Sequence, residues 1–380
     1  MKNSRFLAAI TVWLLAFSLV ACHTIEPEPE PEPEPVREVD PPINEPAVLL
    51  HERIEDGRIV AAYVTYYGSQ VPEALSITHI NYAFAEPYLE DGVYKIRLQG
   101  TLSRFESVIA IKKLYPYIKI CLSFTGGIFS NLCKSEANRK AFADSCLVFL
   151  QKYNLDGIDL DWEYPGRGSA SDPSCDVDNY VLLVKQLRET FGDKYIISYA
   201  GYCIDKVKVT DEDGVQVGWR YIDIKAMDPY VDYVNIMTYE LDAAPKHHSA
   251  LNDPRAYKDC KRSVDAYLNA GVAPSKLVLG IPFFGRHSWS PESIAVSYKK
   301  ILTLDPYQYR RNKWDEQASC PYVEKMNGEF YCGYDNPRSI AIKGEWARKL
   351  GLRGLMFWEY DQDDSRGTLR HAVWNAVMTQ

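Results

Sequence analysis

The sequence predicts an α/β fold, a (β/α)8 barrel of the TIM type with an insertion between its seventh and eighth strands. Three observations predict it. Short apolar runs alternate with amphipathic stretches to give eight strand candidates. The 380 residues accommodate one barrel of roughly 250 residues plus insertions. One apolar run ends in a row of carboxylic acids, and strand ends are where barrels build their sites. A doubly wound open sheet is the competing architecture, but no Gly-rich dinucleotide fingerprint follows the first strand. The net charge of −8, with no basic cluster, argues against nucleic acid as a partner.

In chain order, residues 1–21 read as a signal peptide. Lys2 and Arg5 precede the uncharged stretch 6–21, which is short beside the ~20 residues a membrane span needs. It ends in Leu19-Val20-Ala21-Cys22, which resembles the lipobox of bacterial lipoproteins. Acylated at Cys22, the chain would be an exported lipoprotein of the outer membrane or cell surface of a bacterium. Its only membrane contact would be the lipid anchor. Residues 22–57 then form a linker, with Glu-Pro repeated over 26–35 as an extended, self-repelling tether. The catalytic domain is expected over 58–380.

The strand candidates are 59–67, 79–85, 118–125, 157–164, 195–201, 233–239, 277–284 and 355–360. Helical patterns cover 135–153, 177–191, 254–270 and 339–350, with Asp176, Asp253 and Asn336 where N-caps belong. The long interval after the seventh strand marks an insertion at about 286–334, rich in Tyr and carrying Lys299-Lys300 and Arg310-Arg311. Eight cysteines besides Cys22 allow 105 pairings. Cys320 and Cys332, close together in the insertion, are the expected pair. Cys121, in an apolar run, is expected to be a buried free thiol.

The informative run is Leu155-Asp156-Gly157-Ile158-Asp159-Leu160-Asp161-Trp162-Glu163-Tyr164-Pro165. Strand side chains alternate, so Asp159, Asp161 and Glu163 share one face while Ile158, Leu160 and Trp162 share the other. Asp156 has the opposite parity, which points to a structural role. Three acids in one row repel each other's charge, so at least one should keep its proton toward neutral pH and serve as a general acid. A solvated acidic face or a divalent-cation site would use the same residues. The apolar Trp-Glu-Tyr-Pro frame argues against the cation. His247 and His248 are adjacent and share no face, and no zinc, haem or nucleotide pattern is present. No cofactor is expected.

Asp156, Asp159, Asp161 and Glu163 fill the pattern D-x-x-D-x-D-x-E followed by Tyr164-Pro165. This resembles the signature of glycoside hydrolase family 18, the chitinase family. His79-Ile80-Asn81-Tyr82-Ala83-Phe84-Ala85 resembles the family's second strand, and Met237-Thr238-Tyr239 its sixth. Residues 279–286 and 354–359 resemble its seventh and eighth. The insertion matches the family's small α+β wall domain in place. Departures exist: Ser123-Phe124-Thr125-Gly126-Gly127 is one residue longer than the family's Ser-x-Gly-Gly, Glu240 stands where Asp is usual, and Phe284 where Tyr is common.

The resemblance implies retaining, substrate-assisted hydrolysis of β-1,4-linked N-acetylglucosamine chains such as chitin. It implies Glu163 as the acid, Asp161 orienting the substrate's acetamido group, Asp159 supporting Asp161, and Tyr239 bonding the acetamido oxygen. Trp358 would floor the sugar ring, with Met237, Tyr164, Glu240 and Phe84 as further substrate contacts. Core filling would equally use Met237, and Tyr239 and Trp358 have core packing as their competing role. An endo-β-N-acetylglucosaminidase acting on N-glycans and a non-catalytic glycan-binding protein are the competing functions. Glu163 argues against the last, because binding-only relatives typically lose that acid.

Overall fold

The computed structural model describes residues 38–43, 49–166, 172, 174–202, 209–210, 216–218, 221–242, 244–286 and 295–379. The expected signal peptide, Cys22 and the Glu-Pro repeat lie outside the described residues. Eight parallel strands make the barrel: β1 (Ile59–Thr65), β2 (His79–Glu90), β3 (Lys119–Phe124), β4 (Gly157–Leu160), β5 (Ile196–Gly201), β6 (Tyr233–Ile236), β7 (Leu277–Pro282) and β8 (Gly354–Trp358). β1 pairs with both β2 and β8, which closes the sheet.

Strands covered on both faces read as continuous apolar runs, and every residue of β1 and of β7 is buried. The two faces go to different places. Val60, Ala62, Val64, Ile158, Leu160 and Leu279 join the main core under the helices. Ile59, Ala61, Tyr63, Met237, Val278 and Met356 form a separate cluster lining the barrel interior.

β4 and β6 stop earlier than the apolar pattern suggested, at Leu160 and Ile236. The chain keeps partners just beyond: Asp161 N donates to Phe124 O at 2.8 Å and Met237 N to Gly201 O at 2.9 Å. β2 runs on to Glu90 and turns back as Val93–Leu98. Asp91 and Gly92, with φ of 52° and 77°, make the two-residue turn that suits twisted strands.

The named helices are α1 (Leu102–Ile109), α2 (Glu136–Tyr153), α3 (Asp176–Phe191), α4 (Cys260–Asn269), α5 (Pro337–Lys349) and α6 (Thr368–Met378). Asn336 caps α5 as expected, in a reciprocal box with Ser339. The other two caps differ. Asp176 lies inside the first turn of α3, where its buried carboxylate accepts from Ser130 Oγ (2.6 Å), Asp172 N (2.8 Å) and Gly166 N (3.0 Å). α4 begins at Cys260 with Asp259 as cap, and Asp253 instead binds the guanidinium of Arg255.

In the insertion, Phe284–Gly285 pairs with Val296–Ser297 ahead of a short helix, Tyr298–Ile301. A three-stranded antiparallel sheet follows, of Tyr309–Asp315, Cys320–Lys325 and Phe330–Gly333. The expected Cys320–Cys332 disulfide is absent, and both thiols are free and buried. Cys332 sits opposite Val323, three residues along the strand from Cys320, and an odd offset puts the two side chains on opposite faces. Cys121 is the buried free thiol expected of it. Part of the 22–57 segment packs on the domain: Asp40 Oδ2 accepts from Arg311 Nε at 2.8 Å, and His51 O from Trp374 Nε1 at 2.8 Å.

Candidate active site

Asp159 faces the barrel interior from β4, fully buried. Its register partners are Ser123 on β3 and Ser198 on β5. Both turn hydroxyls onto its carboxylate at 2.7 Å. Tyr63 Oη from β1 adds a bond at 2.8 Å and Asn235 Nδ2 from β6 one at 3.2 Å. Burial pushes the Asp159 carboxyl up, and the four donors pull it back toward ionisation.

Asp161, the next residue on this face, is 5 % exposed, and its Oδ1 is buried without a protein donor. Burial raises its carboxyl well above the usual range, and the charges of Glu163 and Asp159 add to the rise. Asp161 and Glu163 interact closely enough to share a proton as a pair. The Glu163 side chain is open to solvent at the barrel mouth, yet crowding by protein also pushes its carboxyl up. Tyr164 and Asp161 oppose that rise, while the charge of Glu240 adds to it. Asp156, of the other parity, lies at the opposite end of β4. It accepts from Ile120 N at 2.8 Å and Lys112 Nζ at 2.6 Å, a structural role.

The remaining expected residues converge on the same mouth. Phe84, Tyr164, Tyr239 and Trp358 are partly buried against the interior cluster that contains Met237. The Trp358 ring lies 5.6 Å from Phe84, nearly stacked, and 5.3 Å from Tyr63. Tyr164 packs against Tyr202 at 4.7 Å and Tyr221 at 5.3 Å. Burial holds the Tyr239 phenol well above its ordinary range, reinforced by Asp161 and Glu163, so it is a neutral donor. Gly280 lets that ring in: a Cβ there would stand 3.0 Å from it and 2.5 Å from Ile236 O.

Glu240 adopts a left-handed backbone, φ 56°, and pairs its carboxylate with Arg286. Its N–H donates to His248 Nδ1 at 3.2 Å. Burial pushes His248 down to about 3, so the ring is a neutral acceptor. His247 points elsewhere, with Nε2 3.3 Å from Asp315. Among the described residues, no three His, Cys, Asp or Glu side chains converge to hold a metal ion.

Sequence reasoning missed the cradle of Tyr63, Ser123, Ser198 and Asn235. Strand parity carries the signal for it: each residue points into the barrel interior, and Ser123 and Ser198 are also the register partners of Asp159. It also missed Arg286 as the partner of Glu240. A hollow of about 720 Å³ lies at the other end of the barrel, among Gly57, Arg58, Lys276, Arg353 and Gly354, away from the acid row.

The model of glycosyl hydrolases family 18 matches residues 59–363. Chitinase A1 of Niallia circulans is 28% identical over 305 residues, covering 67% of this chain and 42% of that protein. An endochitinase of Manduca sexta is 27% identical over 348 residues, covering 79% of this chain and 61% of that one. The chain thus spans about half the length of these two relatives. The crystal structure of a chitinase from Rhizomucor miehei superposes with a TM-score of 0.70 at 25% identity, over 84% of this chain and 100% of that one. A barrel closed by β1, the acid row on β4 and a family match across both agree: this chain belongs to glycosyl hydrolases family 18.

Proposed function

We propose that the protein hydrolyses β-1,4-linked N-acetylglucosamine chains, chitin or chito-oligosaccharides, with retained configuration and the substrate's own acetamide as nucleophile. One observation carries the reading. Asp161 Oδ1 is a buried acceptor with no protein donor, beside the proton that Asp161 shares with Glu163. A buried unsatisfied acceptor is costly, and an acetamido N–H is a donor of the right kind.

In this mechanism Glu163 gives its proton to the leaving glycosidic oxygen as that bond breaks. The acetamide oxygen attacks the anomeric carbon, forming an oxazolinium ion. Asp161, backed by Asp159, holds the acetamido N–H and the developing charge. Tyr239 donates to the acetamide oxygen. Trp358 supplies the apolar floor, with Phe84 stacked behind it and Met237 and Tyr164 flanking. Water then attacks the same carbon, the bond from that carbon to the acetamide oxygen breaks to restore the acetamide, and Glu163 takes the water's proton. Glu240, held by Arg286, lines the cleft in place of the usual Asp. We also infer, from Leu19-Val20-Ala21-Cys22 and the Glu-Pro tether, that the chain is an exported lipoprotein anchored through Cys22.

Hydrolysis of chitotetraose and of its fully deacetylated form, by wild type and Glu163→Gln, tests the mechanism. Loss of the acid should cost at least about 100-fold in rate while binding persists, and the deacetylated chain should not be cut. Wild-type turnover by Glu163→Gln would remove Glu163 from the role. A high-mannose glycopeptide assayed alongside, and cut in preference, would redirect the substrate to N-glycans.

A further inference from the structure

Glu359 lies immediately after Trp358 and belongs to no part of the acid row. It is 2 % exposed. Its Oε2 accepts from Thr65 Oγ1 at 3.3 Å, at the end of β1, and from Asp361 N at 3.1 Å. Asp361 in turn gathers the loop after β1: its Oδ1 accepts from Ser69 N (2.8 Å), Ser69 Oγ (3.1 Å) and Gln70 N (3.1 Å). That loop approaches so closely that a Cβ on Gly68 would stand 2.3 Å from Asp361 Oδ2. The carboxyl pair therefore ties the floor residue Trp358, the end of β1 and the first mouth loop into one unit.

We propose that Glu359 is a positioning residue for the reaction, a proton-controlled latch that holds the β1 loop and the Trp358 floor in place while it is protonated. The statement rests on the functional reading above only for what the floor binds. The groups facing Glu359 are Asp361 on its own turn, Lys299 of the helix Tyr298–Ile301, Tyr67 of the β1 loop and, through Asp361, Arg104 of α1. Burial pushes the Glu359 carboxyl up to about 7, and the neighbouring Asp361 charge adds to the rise. Thr65, the Asp361 amide and Lys299 pull the other way. Ionised Glu359 places a buried negative charge beside the Asp361 carboxyl that gathers the loop, and opening of the loop to water relieves it.

Hydrogen exchange of amides 65–70, corrected for intrinsic rates, reads the latch without any ligand. Wild type should lose protection between about pH 6 and pH 8, by about tenfold for one unit of uncompensated titration. Glu359→Gln, a neutral isostere that still accepts both bonds, should stay protected at both. Glu359→Ala should be unprotected at both, and Gly68→Ala should release the loop with Glu359 intact. Chitotetraose binding to Glu163→Gln protein supplies the functional half. Its Kd should weaken several-fold between the same pH values, and adding Glu359→Gln should remove that dependence. Equal pH response of wild type and Glu359→Gln in exchange overturns the latch, whatever the substrate. A retained latch with no chitotetraose binding at either pH overturns the substrate reading instead.

Discussion

Tyr63→Phe isolates one bond in the cradle of Asp159. The phenyl ring keeps its 5.3 Å contact with Trp358 and its place in the barrel lining, and only the hydroxyl donating to Asp159 Oδ2 at 2.8 Å is lost. Hydrogen bonds to charged groups contribute about 1.5–3 kcal/mol. One pKa unit is about 1.4 kcal/mol. The Asp159 carboxyl should therefore rise by roughly one to two units, nearer one because Ser123 shares the same oxygen and remains. A higher pKa means more protonated Asp159 at a given pH, so the acidic limb of kcat/KM should move up by about one unit. Stability has its own sign. A carboxyl whose folded pKa is raised favours folding below its unfolded pKa and loses that contribution as pH climbs through the folded value. The variant should thus cost more at about pH 7 than at about pH 3. Rates on chitotetraose across pH 3 to 9, with Tm at both ends, measure this. Superimposable profiles together with equal Tm shifts at the two pH values would show that the cradle does not hold the charge of Asp159.

Two further outcomes follow from single residues. Lys343 and Asp335 are fully buried, 2.7 Å apart, and burial works to discharge Lys343 while Asp335 overrides it and keeps it charged. Lys343→Met should strand the Asp335 carboxylate at a cost of about 3–5 kcal/mol, read as a fall in denaturation midpoint. Adding Asp335→Leu should recover much of the loss, and no recovery would place the damage in packing. Cys22→Ser should abolish lipidation and change how the protein partitions with membranes. A mature wild-type N-terminus that mass spectrometry finds unmodified would end the anchor reading.

The barrel was legible because parallel strands covered on both faces leave unbroken apolar runs, as in β1 and β7. Their ends were not. Polar residues such as Asp161 and Met237's neighbour Thr238 continue the alternation past the last ladder bond, so periodicity alone overran β4 and β6. β2 was underrun for the opposite reason: Pro87 and Glu90 break the apolar run, although Asp91-Gly92 announces the hairpin. The helix caps show a similar limit. Asp253 and Asp176 have the right chemistry for caps, but Arg255 and Ser130 claim their carboxylates. The acid row was readable from parity along one strand. Its cradle needed the register between strands, which places Ser123 and Ser198 level with Asp159.

That register also explains how one strand supports three different carboxyls. Donors are concentrated at the bottom of the row, where Asp159 receives four that oppose the rise its full burial imposes. A fixed charge there makes a second charge one step up costly. Asp161 has no protein donor on Oδ1 to offset that cost, so its carboxyl rises and a proton stays with the Asp161 and Glu163 pair. Glu163 alone reaches solvent, at the strand end, where a leaving group can meet it. The donors gathered around Asp159 thus keep the proton in the upper part of the row. The same logic predicts its weak point: removing Ser123 or Tyr63 spreads the proton downward, away from the glycosidic oxygen, without touching any residue that meets the sugar.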